Sequence, residues 1–317
     1  MSTKPIIKIA TRTSALALWQ AHAVRDKLLQ HNYHCEIVPV ESTGDMQLTQ
    51  PIYAMGISGV FTHQLDIALL EKQADIAVHS LKDVPTQLAA GLTLAAVLER
   101  GASQDVVLIK NKNILADNLL VATIATSSLR RSAQWLSKFP HHKIVPIRGN
   151  VQTRLRKFEE NKEMSAVIFA KAGLERLGLL PENAITLDWM LPAPAQGIIG
   201  IVCRSGDEVM KEAIALINHH QTFIEGAVER QFLRTLMGGC SVPISALASV
   251  VGNELGFKGA MHAYNGNKSF EVHRMMLLSE WKNAGKESAE KLLLQSGAEP
   301  LIEEIRNKTW DEKSSLN

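Results

Sequence analysis

The sequence predicts an α/β protein: two similar, doubly wound sheet-and-helix domains followed by a small C-terminal α+β domain. Three observations carry this reading. Short apolar runs alternate with longer amphipathic segments over the first hundred residues, the same grammar returns between about 105 and 190, and the pattern changes after about 220. Strands alternating with helices build βαβ units and mostly parallel sheets.

Ile6 to Ala10 reads as a strand, Ser14 to Gln30 as a helix and Cys35 to Val40 as a strand. Phe61 to Leu70 then reads as a helix, and Asp75 to His79 as a short buried strand. In the second unit, Val106 to Lys110, Leu120 to Ala125, Lys143 to Ile147 and Ala166 to Ala170 are strands. Leu129 to Lys138 and Val151 to Glu160 are helices between them. Residues 191–197, Leu-Pro-Ala-Pro-Ala-Gln-Gly, form a rigid crossing before the strand Ile198 to Val202. Thr222 and Glu225 have capping-box spacing, and Ile224, Val228, Phe232 and Leu236 fall on one helical face. Gly238-Gly239 supplies the stop. Strands near 244–250, 256–263 and 269–278 follow, then helical segments from Ser288 and Pro300.

Composition excludes several classes of function. Apolar residues make up 46% and charged residues 21%, as in ordinary globular chains, which argues against disorder. Thirty-four Lys+Arg against 32 Asp+Glu leave a net charge of +2, too weak a field for nonspecific nucleic-acid or membrane binding. Three cysteines, Cys35, Cys203 and Cys240, are too scattered for a disulfide framework. No apolar run approaches the ~20 residues of a membrane span, and the chain enters a strand pattern directly, without a signal-peptide core. The expectation is a soluble, cytoplasmic protein. No phosphate-binding glycine motif or nucleophile elbow is present. His31/His34, His141-His142 and His219-His220 lack metal-site spacing and read as surface histidines; no metal is expected.

The positive signal is cationic. Thr11-Arg12-Thr13-Ser14, Thr126-Ser127-Ser128-Leu129-Arg130-Arg131 and Arg148-Gly149-Asn150 with Arg154 each follow a strand and open a helix. Ligands of open α/β sheets bind beyond the carboxyl ends of the strands. Helix N-termini there favour anions, and guanidinium groups match carboxylates. Taken singly, each Arg reads as a solvated helix residue and each Ser or Thr as a cap. Three such turns in two similar domains read as a cleft for a polycarboxylate. Lys82-Asp83 follows another strand at the same edge: Asp83 suits pyrrole or ammonium N–H groups, or a cationic intermediate, and equally suits a local turn before Pro85. Cys240, in Gly238-Gly-Cys-Ser-Val-Pro243, occupies a tight turn. The helix C-terminus beside it disfavours a thiolate, so it suits a permanent anchor better than a fast nucleophile, and an inert thiol is the plainer reading.

These residues resemble the porphobilinogen deaminase (hydroxymethylbilane synthase) family over nearly the whole chain. The matching blocks are Ile9-Ala-Thr-Arg12-Thr-Ser14-Ala-Leu-Ala, Asp75-Ile-Ala-Val-His-Ser-Leu-Lys-Asp83-Val-Pro85, Thr126-Ser-Ser-Leu-Arg-Arg131, Arg148-Gly-Asn-Val-Gln-Thr-Arg154-Leu, Ala172-Gly-Leu-Glu-Arg-Leu-Gly178, and Glu229-Arg-Gln-Phe-Leu through Gly238-Gly-Cys240. The resemblance implies two domains like type II periplasmic binding proteins, joined by two crossings, and a third that anchors the cofactor. The expected limits are 1–98 with 198–219, 99–197, and 220–317. It implies a dipyrromethane cofactor held by a thioether to Cys240, with Lys82, Ser127, Ser128, Arg130, Arg131 and Arg154 around it. Arg12, Ser14, Arg148, Gly149, Arg176 and Gln196 then bind substrate, and Asp83 is catalytic. The implied reaction joins four porphobilinogen molecules head to tail with loss of ammonia, then hydrolyses off linear hydroxymethylbilane; a monomer is expected.

The chain departs from the family pattern in places. The usual loop lysines are replaced by Ser58 and His63 in Gly56-Ile-Ser-Gly-Val-Phe-Thr-His-Gln-Leu-Asp66. The crossing has Ala195 where a Gly is common and ends on Val202 in place of a Glu, and Ser165 replaces a frequent Asp. Two rivals remain at this stage: a non-catalytic polycarboxylate-binding module on the same cleft, which needs no adduct on Cys240, and a nucleic-acid binder using Arg130-Arg131 and Arg154 to Lys157, against which the near-neutral charge argues.

Overall fold

The computed structural model describes residues 5–41, 62–110, 113–116, 120–236 and 242–314, with side chains to 307. Ser58 and Cys240 lie outside the described residues, as do Gly238 and Gly239.

The first unit runs β1 (Ile7–Arg12), α1 (Ala15–Gln30), β2 (Cys35–Val40), α2 (His63–Leu70), β3 (Ile76–Ser80), a 3-10 turn (Leu81–Asp83) and β4 (Leu92–Val97). The second comprises β5 (Asp105–Ile109), α3 (Asn113–Ala116), β6 (Thr123–Ala125), α4 (Leu129–Lys138), β7 (Lys143–Val145), α5 (Val151–Glu160), β8 (Ala166–Ala170), α6 (Lys171–Arg176) and β9 (Ile185–Thr186). The chain then returns to the first sheet through β10 (Ile199–Arg204) and α7 (Glu208–Ala215).

The two sheets share one plan. The first is ordered β2-β1-β3-β10-β4 and the second β7-β6-β8-β5-β9. In each, the fourth strand is the one that has just arrived from the other domain, and it runs antiparallel to both neighbours. The other four strands of each sheet run the same way, as the expectation of mostly parallel sheets has it, and the crossing strand is the reversed one. Direction depends on which side a crossing enters from, and periodicity does not encode that.

Apolar spacing explains the layers. Ala21, Val24 and Leu28 of α1 pack with Ile7, Ile9, Ile76 and Val78, while Leu65, Ala68 and Leu69 of α2 cover the opposite face around Ala10, Ala77 and Val202. In the second unit Trp135 of α4 and Phe139 at its C-cap lie on one face against Ile124 and Ile168, and Phe158 of α5 on the other against Val167 and Phe169. Each such fully buried large side chain contributes about 1.5–3 kcal/mol. His142 belongs to this core: it is 4% exposed and accepts the Trp135 indole N–H at 3.0 Å, which corrects the reading of it as a surface histidine.

The third unit comprises α8 (His220–Leu236), the antiparallel meander β11 (Ile244–Val251), β12 (Glu254–His262) and β13 (Ser269–Leu277), then α9 (Trp281–Leu293) and α10 (Ala298–Ser314). Ile224, Val228, Phe232 and Leu236 do share one buried face. Two details differ from the sequence reading. The helix starts at His220, so Thr222 and Glu225 form no capping box: Thr222 accepts from the Arg100 amide at 3.1 Å, and Glu225 accepts from the Val250 amide. The next helix begins at Trp281, seven residues before Ser288, which is buried within it.

The crossings touch back to back. Gly101 N–H donates to the Gly197 carbonyl at 3.0 Å, and Gly197 has a φ of +86°. A Cβ there would sit 2.7 Å from the Gly101 oxygen, so only glycine fits. Glu229 of α8, fully buried, ties this junction to the third unit. It accepts from Arg100 (2.6 and 3.2 Å), from the Ala195 amide (2.6 Å) and from the Ala248 amide (2.7 Å). Burial pushes its carboxyl up, and these donors pull it down.

Candidate active site

The carboxyl ends of β1, β3, β6, β7 and β8 face one another across a cleft of about 680 Å³, and Leu233, Val242 and Ile244 of the third unit close one side. That volume is in the range of small-molecule sites, roughly 300–1,000 Å³. Three helices point their N-termini into it. Ser14 caps α1 by accepting from Ala17 N, Ser128 caps α4 by accepting from Arg131 N, and Asn150 caps α5 by accepting from Thr153 N. Each end supplies amide donors and the positive end of a helix dipole. Gly149 turns the chain into α5 at φ +115°, where a Cβ would meet Thr153 at 2.6 Å.

The cleft brings together Arg12, Ser14, Lys82, Asp83, Ser127, Ser128, Arg130, Arg131, Arg148, Gly149, Arg154 and Gln196. Asp83 is exposed on the first wall, at the end of the 3-10 turn. Beside it Lys82 is pulled down to about 8, by burial first, with Arg131 and Arg130 adding and Asp83 and Asp105 opposing. Arg154, stacked over Phe169 at 4.9 Å, falls to about 10 through burial and the nearby Arg131 and Arg148. Its buried Nε has no hydrogen-bond partner among the described residues. His79, at the end of β3, is pushed down to about 4 by burial and by Arg12, so it stands neutral in this wall. The Ser127 hydroxyl donates to the Ile147 carbonyl and accepts from its amide, both at 3.0 Å, bracing two strand ends.

Two candidates are engaged by the protein's own groups. Arg176 lines a separate pocket behind the cleft, where its guanidinium donates to the Gly197 carbonyl at 2.6 Å and lies over Trp19. The Gln196 amide is engaged on both ends: it accepts from Lys82 at 3.3 Å and donates to Ser103 O at 2.7 Å and Asp105 at 2.9 Å. Sequence reasoning missed Asp105 altogether. It is fully buried, and both Arg130 (2.7 Å) and Arg131 (2.8 Å) converge on it. Burial alone would raise it, but these cations, Gln196 and Lys82 hold it well below the usual carboxylate range. A lone Asp opening an apolar strand carried the only signal.

Cations and amide donors at strand ends, with a single exposed carboxylate opposite among the described residues, suit a ligand rich in carboxylates and N–H groups. A family model described as "Porphobilinogen deaminase, dipyromethane cofactor binding domain" matches residues 7–212, and one described as "Porphobilinogen deaminase, C-terminal domain" matches 223–294. The chain belongs to the porphobilinogen deaminase family. It is 39% identical over 301 residues to the porphobilinogen deaminase of Syntrophomonas wolfei, covering 94% of this chain and 98% of that one. It is 43% identical over 279 residues to the chloroplastic porphobilinogen deaminase of Oryza sativa subsp. japonica, covering 85% and 77%. A solved periplasmic substrate-binding protein of Coxiella burnetii is 12% identical, with a TM-score of 0.44 over 69% of this chain and 94% of that one. As a porphobilinogen deaminase the chain is a transferase of porphyrin biosynthesis, and its activity is hydroxymethylbilane synthesis. Among the described residues no helix is long and apolar enough to cross a membrane.

Of the departures from the family pattern, His63 opens α2 and is exposed. Val202 is fully buried in the first sheet, paired with Ala77 and Leu94. Ser165 accepts from Thr123 N at 3.1 Å. Ala195 is fully buried at φ +62°, a left-handed conformation that suits the glycine usual there.

Proposed function

We propose that the cleft carries out the condensation of porphobilinogen on a dipyrromethane joined through a thioether to Cys240. The observation that carries this reading is the pairing of an exposed Asp83 with a facing wall of buried arginines at the strand ends. The donor set fits the cofactor: it joins Lys82, Arg130, Arg131 and Arg154 to neutral serine hydroxyls, and the buried Arg154 Nε has an unmet N–H among the described residues. Cys240 is two residues from Val242, whose side chain lines the cleft.

Lys82, Ser127, Ser128, Arg130, Arg131 and Arg154 would hold the carboxylates of the dipyrromethane, which when bound supplies the nucleophilic pyrrole carbon. Arg12, Ser14, Arg148 and Gly149 lie along the same walls and take the acetate and propionate of the incoming substrate. Holding both partners by their side chains fixes their approach and removes the entropy of bringing them together. Asp83 offers negative charge where the aminomethyl C–N bond breaks and ammonia leaves, stabilising the substrate cation. Gln196 and Arg176 act on the crossings that set the distance between the walls.

Sheet membership supports dividing the chain into 1–98 with 198–219, 99–197 and 220–317. A monomer working in the cytoplasm completes the reading. The test is intact-protein mass of wild type beside Cys240→Ser. A mass excess equal to two linked pyrroles in wild type alone is expected; a bare wild-type chain with full turnover would refute the anchor.

A further inference from the structure

Asp105 opens β5 immediately after the first crossing, and its carboxylate is the point on which the arginine wall converges. Oδ2 meets Arg130 Nη2 at 2.7 Å, while Oδ1 accepts from Arg131 Nε and Nη2 at 3.2 and 2.8 Å. Oδ1 also accepts from Gln196 Nε2 at 2.9 Å. Gln196 in turn accepts from Lys82, the neighbour of Asp83, at 3.3 Å. Arg130 Nη1 donates to the Leu191 carbonyl and Arg131 Nη1 to that of Ile168, while the buried Arg130 Nε has no hydrogen-bond partner among the described residues. A hydrogen-bonded path therefore runs from Lys82, through Gln196 of the second crossing and Asp105, to Arg131 of the opposite wall, and the ion pair at 2.7 Å extends it to Arg130.

We propose that Asp105 is a positioning residue for this reaction: it aims Arg130 and Arg131 into the cleft and keeps Lys82 charged in register with them. Touching no ligand itself, it acts through the residues that do, and the proposal rests on the site reading given above. Three cations share the space around it. A buried carboxylate between them offsets their mutual repulsion, and without it the one that can release a proton at moderate pH does so. That one is Lys82. The charged groups facing Lys82 are Asp83, Arg131, Asp105 and Arg130, and removing Asp105 leaves two arginines against one partly solvated Asp83.

The pH dependence of kcat/KM for porphobilinogen, measured on the cofactor-bearing enzyme, tests this. In wild type the alkaline limb reports Lys82 near pH 8. In Asp105→Asn it moves down by about one pH unit or more, the scale of losing a close opposite charge, and KM rises at least ~10-fold. Adding Lys82→Arg to that variant removes the shifted limb, because a guanidinium does not deprotonate in this range. If Asp105→Asn does not fold, the charge-balanced pair Asp105→Asn/Arg131→Met replaces it and is compared with Arg131→Met alone. A KM at least about five-fold higher in the pair supports the role, since Arg130 has lost its partner; equal values overturn it. A folded Asp105→Asn enzyme with an unmoved limb and wild-type KM also overturns it. Wild type that fails to condense porphobilinogen refutes the underlying site reading instead.

Discussion

Glu229→Gln perturbs the junction at its most connected atom pair. A surface Arg–Glu pair is worth about 0–1 kcal/mol, but here the Glu229 side chain is fully buried and that of Arg100 is 10% exposed. Four donors converge on the two oxygens: both Arg100 terminal nitrogens and the amides of Ala195 and Ala248. An amide keeps the shape, yet its NH₂ faces donors and the Arg100 charge keeps only the longer pair with Glu225, at 3.9 Å. Breaking a buried pair in this way costs about 3–5 kcal/mol. At roughly 2 °C per kcal/mol for a chain of this size, the melting temperature falls by about 6–10 °C. Differential scanning fluorimetry reads the shift. Arg100→Met in the Glu229→Gln background removes the poorly paired charge and recovers about 2 kcal/mol, because the Gln oxygen still serves one amide. A single variant within ~1 kcal/mol of wild type, or a double variant whose losses simply add, would refute the assignment of this junction to the ion pair.

Three further outcomes are expected. Asp83→Ala lowers turnover by at least about 10²–10³-fold with an unchanged melting temperature, since its carboxylate is exposed in a turn; near-normal turnover would count against its role. His262, 6% exposed, is lowered from 6.5 to about 4 by burial, with Arg130 adding to and Glu271 opposing the shift. The unfolded chain takes up a proton between those values and the folded chain does not. Stability is therefore full above pH 6.5 and falls by roughly 2 kcal/mol from pH 7 to pH 5 on this group's account. Urea midpoints at the two pH values should differ less in His262→Gln, and an equal difference would exclude this histidine. Ala195→Gly relieves about 1–2 kcal/mol of left-handed strain but loses a buried methyl worth about 0.8 kcal/mol and adds chain entropy of about 0.4–1 kcal/mol. The melting temperature should stay within ~2 °C, and a fall beyond 5 °C would show that the backbone holds no strain there.

Much of the fold was legible because local chemistry and packing agree. Leu129–Lys138 and Val151–Glu160 begin and end where their caps, Ser128 and Asn150, and their apolar spacing require. The site was legible for a related reason: Arg12, Arg130, Arg131, Arg148 and Arg154 all follow strand ends, and strand ends face one cleft. What escaped was set by tertiary demand. Thr222 and Glu225 look like a cap, but their oxygens are used by Arg100 and Val250 from elsewhere in the chain. Asp105 has no motif, because its importance lies in which distant groups fold onto it. Arg176 shares the arginine chemistry of the cleft yet turns to the back of the crossings. Cys240 drew its meaning from family resemblance rather than from its own turn, which by itself read as an inert thiol.

The strand order has a consequence for how the chain emerges during synthesis. β10 slots between β3 and β4, yet it is made roughly a hundred residues after β4 ends. At about 5–20 residues per second, a nascent first sheet waits about 5–20 seconds with two inner edges open and the apolar faces of Ala77 and Leu94 unpaired. Such edges invite pairing with other chains. The ribosome-bound intermediate is thus the stage at which the first sheet is most open to wrong pairing.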